Sequence, residues 1–265
     1  MLRLPGRSML VDFHNHILPG VDDGARNADE TRAALRAMRD AGVHLVIATP
    51  HIQASVIGGG EDTDRYRARI GSALNDAREI AAEETPEVTV ELGAEVMLDD
   101  AAVEVSDPLL RLAGTKFVLV EFSLFGVPPN AADMLFRLRA QGWQPVLGHP
   151  ERYGGLSLPV VREWHATGLL LQVNAGSLMG DYGPTVKERA WQLLRGGLVH
   201  YLCSDYHARG RFRVPAALSV LEKNGGRRQR EMFVENGVML SRGEMPRPVP
   251  PLRPLPWYRT IFKRT

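Results

Sequence analysis

Short, nearly unbroken apolar runs alternate with longer amphipathic stretches along most of this chain. The runs are VDFHNH from Val11, HLVIATPH from His44, VTVELGAE from Val88, KFVLVEF from Lys116, QPVLGHP from Gln144, LLLQVNAG from Leu169 and LVHYLCSDYH from Leu198. Between them, residues 27–41, a stretch ending near Glu84, PPNAADMLFRLRAQG, residues 157–167 and GPTVKERAWQLLRGG carry the period of amphipathic helices. The first helix places Asp29 and Glu30 in its opening turn and Gly42 past its end, which suits the helix dipole and the C-cap. Asp62 or Thr63 is the expected cap of the second, after the glycine-rich Gly58–Gly60 loop, and a short helix is expected over 98–104. Seven strands alternating with helices in one direction argue for a parallel sheet with right-handed crossovers. Runs such as LVIA and FVLV are those of strands buried on both faces.

That alternation fits either a distorted (β/α)7 barrel or an open doubly wound sheet. The ends of the runs favour the barrel. His14 and His16 end the first run, His51 the second, Glu95 the third, Glu121 the fourth, His149 the fifth, and Asp205 and His207 the last. In an open sheet these ends lie along a line, whereas in a barrel they surround one mouth at the C-terminal ends of the strands. A buried carboxylate at the end of an apolar strand needs a cation or strong donors. Each residue alone has a plainer reading, as a packed histidine or a structural ion pair. Together they point to a metal site, and mixed imidazole and carboxylate donors suit Mn, Fe, Co or Zn. Asp23, in the turn VDDGA, joins the set because of the histidines before it. Nine donors exceed the needs of one ion, and clustered divalent ions suit hydrolysis of a phosphate ester.

Composition narrows the picture slightly. The 265 residues are 44% hydrophobic and 24% charged, with a net charge of +1, so no overall field draws in nucleic acid. No apolar run is long enough to span a bilayer, Cys203 is the sole cysteine, and a cytoplasmic setting is expected. Residues 1–8 read as an N-terminal extension, 9–243 as the barrel, and 244–265 as a Pro-rich basic tail outside it, with six prolines, five basic residues and one acid. The tail suits an adaptor or the vicinity of anionic lipid, but a disordered or surface-draped extension is the plainer expectation. Cys203 and Arg209 have the C-x5-R spacing of cysteine phosphatases. The interval lacks glycine and contains Asp205, whose charge repels phosphate, so Cys203 reads as a small core residue.

The ordered motifs HNH, LPGVDDGA, TPH, GAE, EF, GHPERY and SDYH resemble the PHP (polymerase and histidinol phosphatase) superfamily. Within it they are most similar to the bacterial manganese-dependent protein tyrosine phosphatases of capsule and exopolysaccharide systems, the CpsB/YwqE type. The resemblance runs from about Met9 to about Glu244. It implies a PHP-type barrel with three ions, Mn²⁺ first and Fe, Co, Mg or Zn as alternatives. By motif, His14, His16, Glu95 and Asp205 hold the first ion, Glu95 bridges to a second held by Glu121 and His149, and Asp23, His51 and His207 hold the third. Arg152 matches the arginine of the ERY motif. A second phosphate-binding arginine is expected after SDYH, with Arg211 first and Arg209 and Arg213 as rivals. The implied reaction is direct attack of a metal-bridging hydroxide on phosphotyrosine, with His207 or a water as acid. The implied substrate is the tyrosine-rich tail of a bacterial tyrosine autokinase, and ring-like or smaller oligomers occur in the family. A small phosphomonoester such as histidinol phosphate is the alternative substrate, and a catalytically silent kinase-binding module the alternative class.

Overall fold

The structure, a computed structural model, describes residues 9–57, 60–100 and 107–252. The elements follow the expected alternation: β1 (Leu10–Asp12), α1 (Ala28–Asp40), β2 (Val43–Ala48), β3 (His51–Gln53), α2 (Glu61–Glu84), β4 (Thr89–Leu92), β5 (Glu95–Met97), β6 (Phe117–Glu121), α3 (Ala131–Ala140), β7 (Gln144–Gly148), α4 (Leu158–Ala166), β8 (Leu170–Asn174), α5 (Ala175–Met179), α6 (Pro184–Arg195), β9 (Tyr201–Cys203), α7 (Val214–Gly225) and α8 (Arg227–Ser241).

Every strand pair within the two sheets is parallel. One sheet has the order β1-β2-β4 and the other β3-β5-β6-β7-β8-β9. The seven runs therefore appear as nine strands, because the second and third runs are each broken once. Pro50 follows Ala48 and Thr49 at one break, and Gly93 stands at the other. A Cβ at Gly93 would lie 2.7 Å from Leu112 Cδ2 and 3.3 Å from Leu112 Cα, so a larger residue there would displace the Leu112 side chain. Pairing continues across the breaks, since Gly93 N donates to Ala48 O at 2.9 Å and Glu95 N to Pro50 O at 3.1 Å. The strand order never reverses, so the fold lacks the switch point of a doubly wound sheet. Beyond β9 the chain returns to the continuation of β1. Asp205 N donates to His14 O at 2.8 Å and His16 N to Tyr206 O at 2.9 Å. The first and last runs thus lie side by side at the mouth.

Two apolar layers hold this arrangement. The larger lies between the sheets and their helices. The smaller is made of Val11, Phe13, Ile47, Phe117, Leu119, Val146, Leu170, Tyr201 and Cys203, with Leu112 and Leu240. Its members come from six of the seven runs and from both sheets, so it ties the two sheets together. Full burial of side chains of this size contributes about 1.5–3 kcal/mol each.

Some local expectations differ. Asn27 caps α1 by accepting from Glu30 N at 3.0 Å. α2 begins at Gly60 with no side-chain cap, and Thr63 Oγ1 instead donates to Val56 O at 2.6 Å. Residues 98–100 are not helical, and the rest of the expected 98–104 helix lies outside the described residues. The stretch 244–252 does not stand clear of the body. Asn236 receives Arg247 N at 2.8 Å, Leu252 N donates to Leu194 O at 3.1 Å, and Val249 and Leu252 are buried. These two aliphatic side chains join the main core, with Leu252 Cδ2 against Gly225 at the end of α7. Residues 1–8 and 253–265 lie outside the described residues, and no described helix is long and apolar enough to cross a membrane.

Candidate metal centre

His14 and His16 lie just past β1 rather than on it, and Asn15 between them makes the pair possible. Its side-chain amide donates to Asp12 O and Ile47 O, both at 3.2 Å, and its backbone carbonyl accepts Thr49 N at 2.9 Å. Asn15 is thereby pinned to β1 and β2, away from the mouth, while both imidazoles enter it. His14 Nε2 lies 3.0 Å from Glu95 Oε1 and 3.4 Å from Asp205 Oδ1. His16 Nε2 lies 3.3 Å from Glu95 Oε2 and 3.4 Å from Asp205 Oδ1.

Glu95 opens β5 and Glu121 closes β6. His51 Nδ1 is 3.2 Å from Glu95 and 3.1 Å from Glu121. His149 Nε2 is 2.8 Å from Glu95 and 3.6 Å from Glu121. On the outer side, Asp23 Oδ1 lies 3.5 Å from His51 Nε2 and 3.3 Å from His207 Nε2. Donor atoms within 4.8 Å of one another form three overlapping groups: His14, His16, Glu95 and Asp205; His51, Glu95 and Glu121; and His16, Asp23, His51 and His207. The first matches the set expected for the first ion. The second has His51 where His149 was expected, with His149 still against Glu95, and the third adds His16. All nine side chains thus converge on one mouth.

The surroundings demand positive charge. Burial opposes ionisation of Glu95, yet His14, His149 and His16 hold its carboxyl well below the usual range. Burial also opposes charge on His14, but Glu95 and Asp205 push it up to about 9. Divalent cations meet this demand directly, displacing the protons. The hydrogen bonding agrees: His14 Nε2, His16 Nε2 and Glu95 Oε2 are buried beside one another without an aligned hydrogen-bond partner. The donor set fits divalent metal.

The backbone is bent to serve the cluster. His149 has φ 36° and Asp205 φ 51°, both left-handed. Each costs about 1–3 kcal/mol, recovered from the surrounding structure. A Cβ at Gly24 would meet His16 O at 2.0 Å, so the turn bearing Asp23 closes against His16 only with glycine there.

Several supporting residues escaped the sequence reading. Asp22 Oδ2 lies 2.8 Å from His16 Nδ1. Burial opposes its ionisation, but His16 brings its carboxyl down to about 2. Gln172 Oε1 lies 2.9 Å from His14 Nδ1, and its amide donates to Asn174 Oδ1 at 2.8 Å. Such contacts fix ring orientation and tautomer. Two polar residues at alternate positions of the otherwise apolar run LLLQVN were the available signal. Asp12 is fully buried and receives Ser204 N and Oγ at 2.9 and 2.5 Å, with burial raising its carboxyl to about 6.

HPERY divides its work among its residues. Glu151 accepts Asn174 N at 2.9 Å, and Tyr153 donates to Gly148 O at 2.8 Å while accepting Phe122 N at 3.2 Å. Arg152 donates to Asp205 Oδ2 at 2.8 Å, and its guanidinium lies 4.5 Å from the Tyr182 ring centroid. Of the three later arginines, Arg209 donates to Asp23 O and Gly24 O and so pins the VDDGA turn. Arg213 pairs with both oxygens of Asp181 at 2.7 Å. Arg211 has no hydrogen bond or ion pair among the described residues and lines a cavity of about 320 Å³ with Asp205, His207 and Tyr182. Cys203 is buried in the smaller apolar layer, where burial pushes its thiol well above the usual value.

A cavity of about 500 Å³ stands over the donors, lined also by Arg152, Met97, Leu124 and Phe125. Fold and site together define a parallel α/β protein with a clustered imidazole–carboxylate metal site at its strand ends. Residues 10–241 match the model of the family described as capsular polysaccharide synthesis, CpsB/CapC, and the chain belongs to that family. It is 31% identical over 239 residues to tyrosine-protein phosphatase YwqE of Bacillus subtilis strain 168, covering 89% of this chain and 92% of that protein. It is 28% identical over 239 residues to tyrosine-protein phosphatase CpsB of Streptococcus pneumoniae, covering 86% of this chain and 96% of that one. A chain from the crystal structures of YwqE from B. subtilis and CpsB from S. pneumoniae, described as unique metal-dependent tyrosine phosphatases, superposes with a TM-score of 0.80 at 29% identity. That match covers 93% of this chain and 100% of the other.

Proposed function

We propose that this protein is a metal-dependent phosphatase that hydrolyses phosphotyrosine on a protein substrate. The observation that carries the reading is the convergence of nine donor side chains and Arg152 on one mouth. Related proteins named as tyrosine phosphatases support the substrate class. His14, His16, Glu95 and Asp205 would hold one ion, Glu95 with Glu121 and His149 a second, and Asp23, His51 and His207 a third, with Mn²⁺ the first choice. When bound, such ions supply Lewis-acid charge for the phosphoryl oxygens and make hydroxide available near neutral pH.

The chain's own residues do the rest. Arg152, anchored by Asp205 and Tyr182, presents its remaining donors to the phosphoryl group from within the mouth. Arg211 reaches the same side from the loop after Asp205 and shares the charge. His207 points Nε2 at Asp23 and Nδ1 at Asp205 O, so neither nitrogen is left over for a leaving group. Phenolate, with a conjugate acid of pKa about 10, departs without that help. Leu124 and Phe125 give the rim an apolar edge for the tyrosine ring. The physiological substrate on this reading is the tyrosine-rich tail of a bacterial tyrosine autokinase acting in capsule or exopolysaccharide synthesis, and the reaction is cytoplasmic.

The test is turnover of a phosphotyrosyl peptide against histidinol phosphate, before and after chelation and with Mn²⁺ restored. Preference for the peptide, loss on chelation and recovery with Mn²⁺ are expected. Cys203→Ala keeps activity on this reading and His14→Ala loses it. Full activity in the chelated protein, or a dead Cys203→Ala that still folds, overturns it.

A further inference from the structure

A second cavity, about 790 Å³, opens beside the one over the donors. Its lining includes Ile52, Val56, Asp62, Arg65, Tyr66 and Arg69, and it shares His51, Met97 and Glu121 with the first. The two cavities adjoin at those three residues. A polypeptide whose phosphorylated side chain sat at the donors would have this groove within reach of its neighbouring residues. The cavity over the donors alone is within the size range of a small-ligand pocket. The second is surplus to a small phosphomonoester.

The charges in the groove are unevenly answered. Arg65 and Arg69 are four apart on α2 and so share a face. Arg65 pairs with Asp62 at 2.9 Å. Arg69 is exposed and has no hydrogen bond or ion pair among the described residues. Between them the Tyr66 phenol oxygen is buried without a hydrogen-bond partner. The floor supplied by Ile52, Val56 and Met97 is apolar. One uncompensated cation over an apolar groove suits an extended polypeptide carrying a carboxylate.

We infer that this groove is a subsite for the substrate polypeptide flanking the phosphotyrosine, and that Arg69 selects an acidic side chain there. The inference rests on the phosphotyrosine reading. Two phosphotyrosyl peptides differing only in Glu or Gln at the two positions on each side of the phosphotyrosine test it, with kcat/KM as the readout. In the Mn²⁺-loaded parent, the Glu peptide is preferred by about two- to five-fold, the scale of an exposed ion pair. The ratio falls to about one in Arg69→Gln, persists in Arg69→Lys and inverts in Arg69→Glu. A ratio of one in the parent, or an unchanged ratio in Arg69→Gln, overturns the subsite. Free phosphotyrosine separates the two readings. If the parent hydrolyses it while the ratio is flat, only the subsite falls; if the parent hydrolyses neither it nor the peptides, both fall.

Discussion

Arg152 donates to Asp205 Oδ2 at 2.8 Å while Asp205 Oδ1 stands 3.4 Å from both His14 and His16. One carboxylate therefore faces the donor cluster with one oxygen and steers a cation with the other. Arg152 cannot shift without disturbing Asp205, and the Tyr182 ring limits the other direction. Arg152→Ala is expected to lower kcat by on the order of 10²-fold, the scale for losing an oriented donor to developing charge. Arg152→Lys keeps charge without the planar fork and should recover only part of the loss. Steady-state kinetics on a phosphotyrosyl peptide measure both.

The three arginines after His207 should separate by function. Arg211→Ala is expected to reduce kcat/KM by about tenfold, as for loss of a charged hydrogen bond. Arg213→Ala releases Asp181 and acts only through its turn. Arg209→Ala frees the turn bearing Asp23 and should weaken metal retention. Equal kinetic losses for Arg211→Ala and Arg213→Ala at saturating metal would refute the assignment.

Asp22 offers a cleaner probe of metal affinity than any donor. It accepts Gly24 N at 2.9 Å, so the turn retains a partner in Asp22→Asn while the charge beside His16 is lost. Metal affinity is expected to fall by about 10–100-fold, with most of kcat restored by excess Mn²⁺. Metal titration by calorimetry, in parallel with activity, distinguishes this from a catalytic defect.

A test of acid stability lies outside the site. His200 stacks on His165 with ring centroids 5.1 Å apart, and its Nδ1 accepts Leu171 N at 3.1 Å. Burial, with His165 adding to it, brings the His200 pKa down to about 4. The folded state disfavours the proton, so the neutral ring's contribution is complete above pH about 6.5 and is lost as pH falls from there towards 4. Partial exposure discounts the effect to about 1–2 kcal/mol. His200→Gln keeps an acceptor but does not titrate, so its stability should fall less over that window. Urea melts at pH 7 and pH 4.5 measure the difference.

Much of this was legible because strand ends are punctuated. An imidazole or carboxylate closing an apolar run is conspicuous, and the runs fixed the order in which donors meet. The breaks at Thr49–Pro50 and Gly93 were not legible, since the runs read as continuous and the reason for Gly93 is the distant Leu112 side chain. Asp22 and Asp23 are neighbours of one chemical type, and only geometry gives one to His16 and the other to the outer histidines. Arg209, Arg211 and Arg213 were equivalent in sequence for the same reason. Val249 and Leu252, three apart among prolines, were hidden by a composition that resembles a free tail.

The bonds joining His14 and His16 to Asp205 and Tyr206 connect residues nearly two hundred positions apart. No fragment lacking the last strand contains both halves of the donor set. A chain still emerging from the ribosome therefore cannot assemble the centre until β9 and the loop after it are made. Complete metal loading on this fold would be a late event, and retention of the full set a report that synthesis and folding have both reached their end.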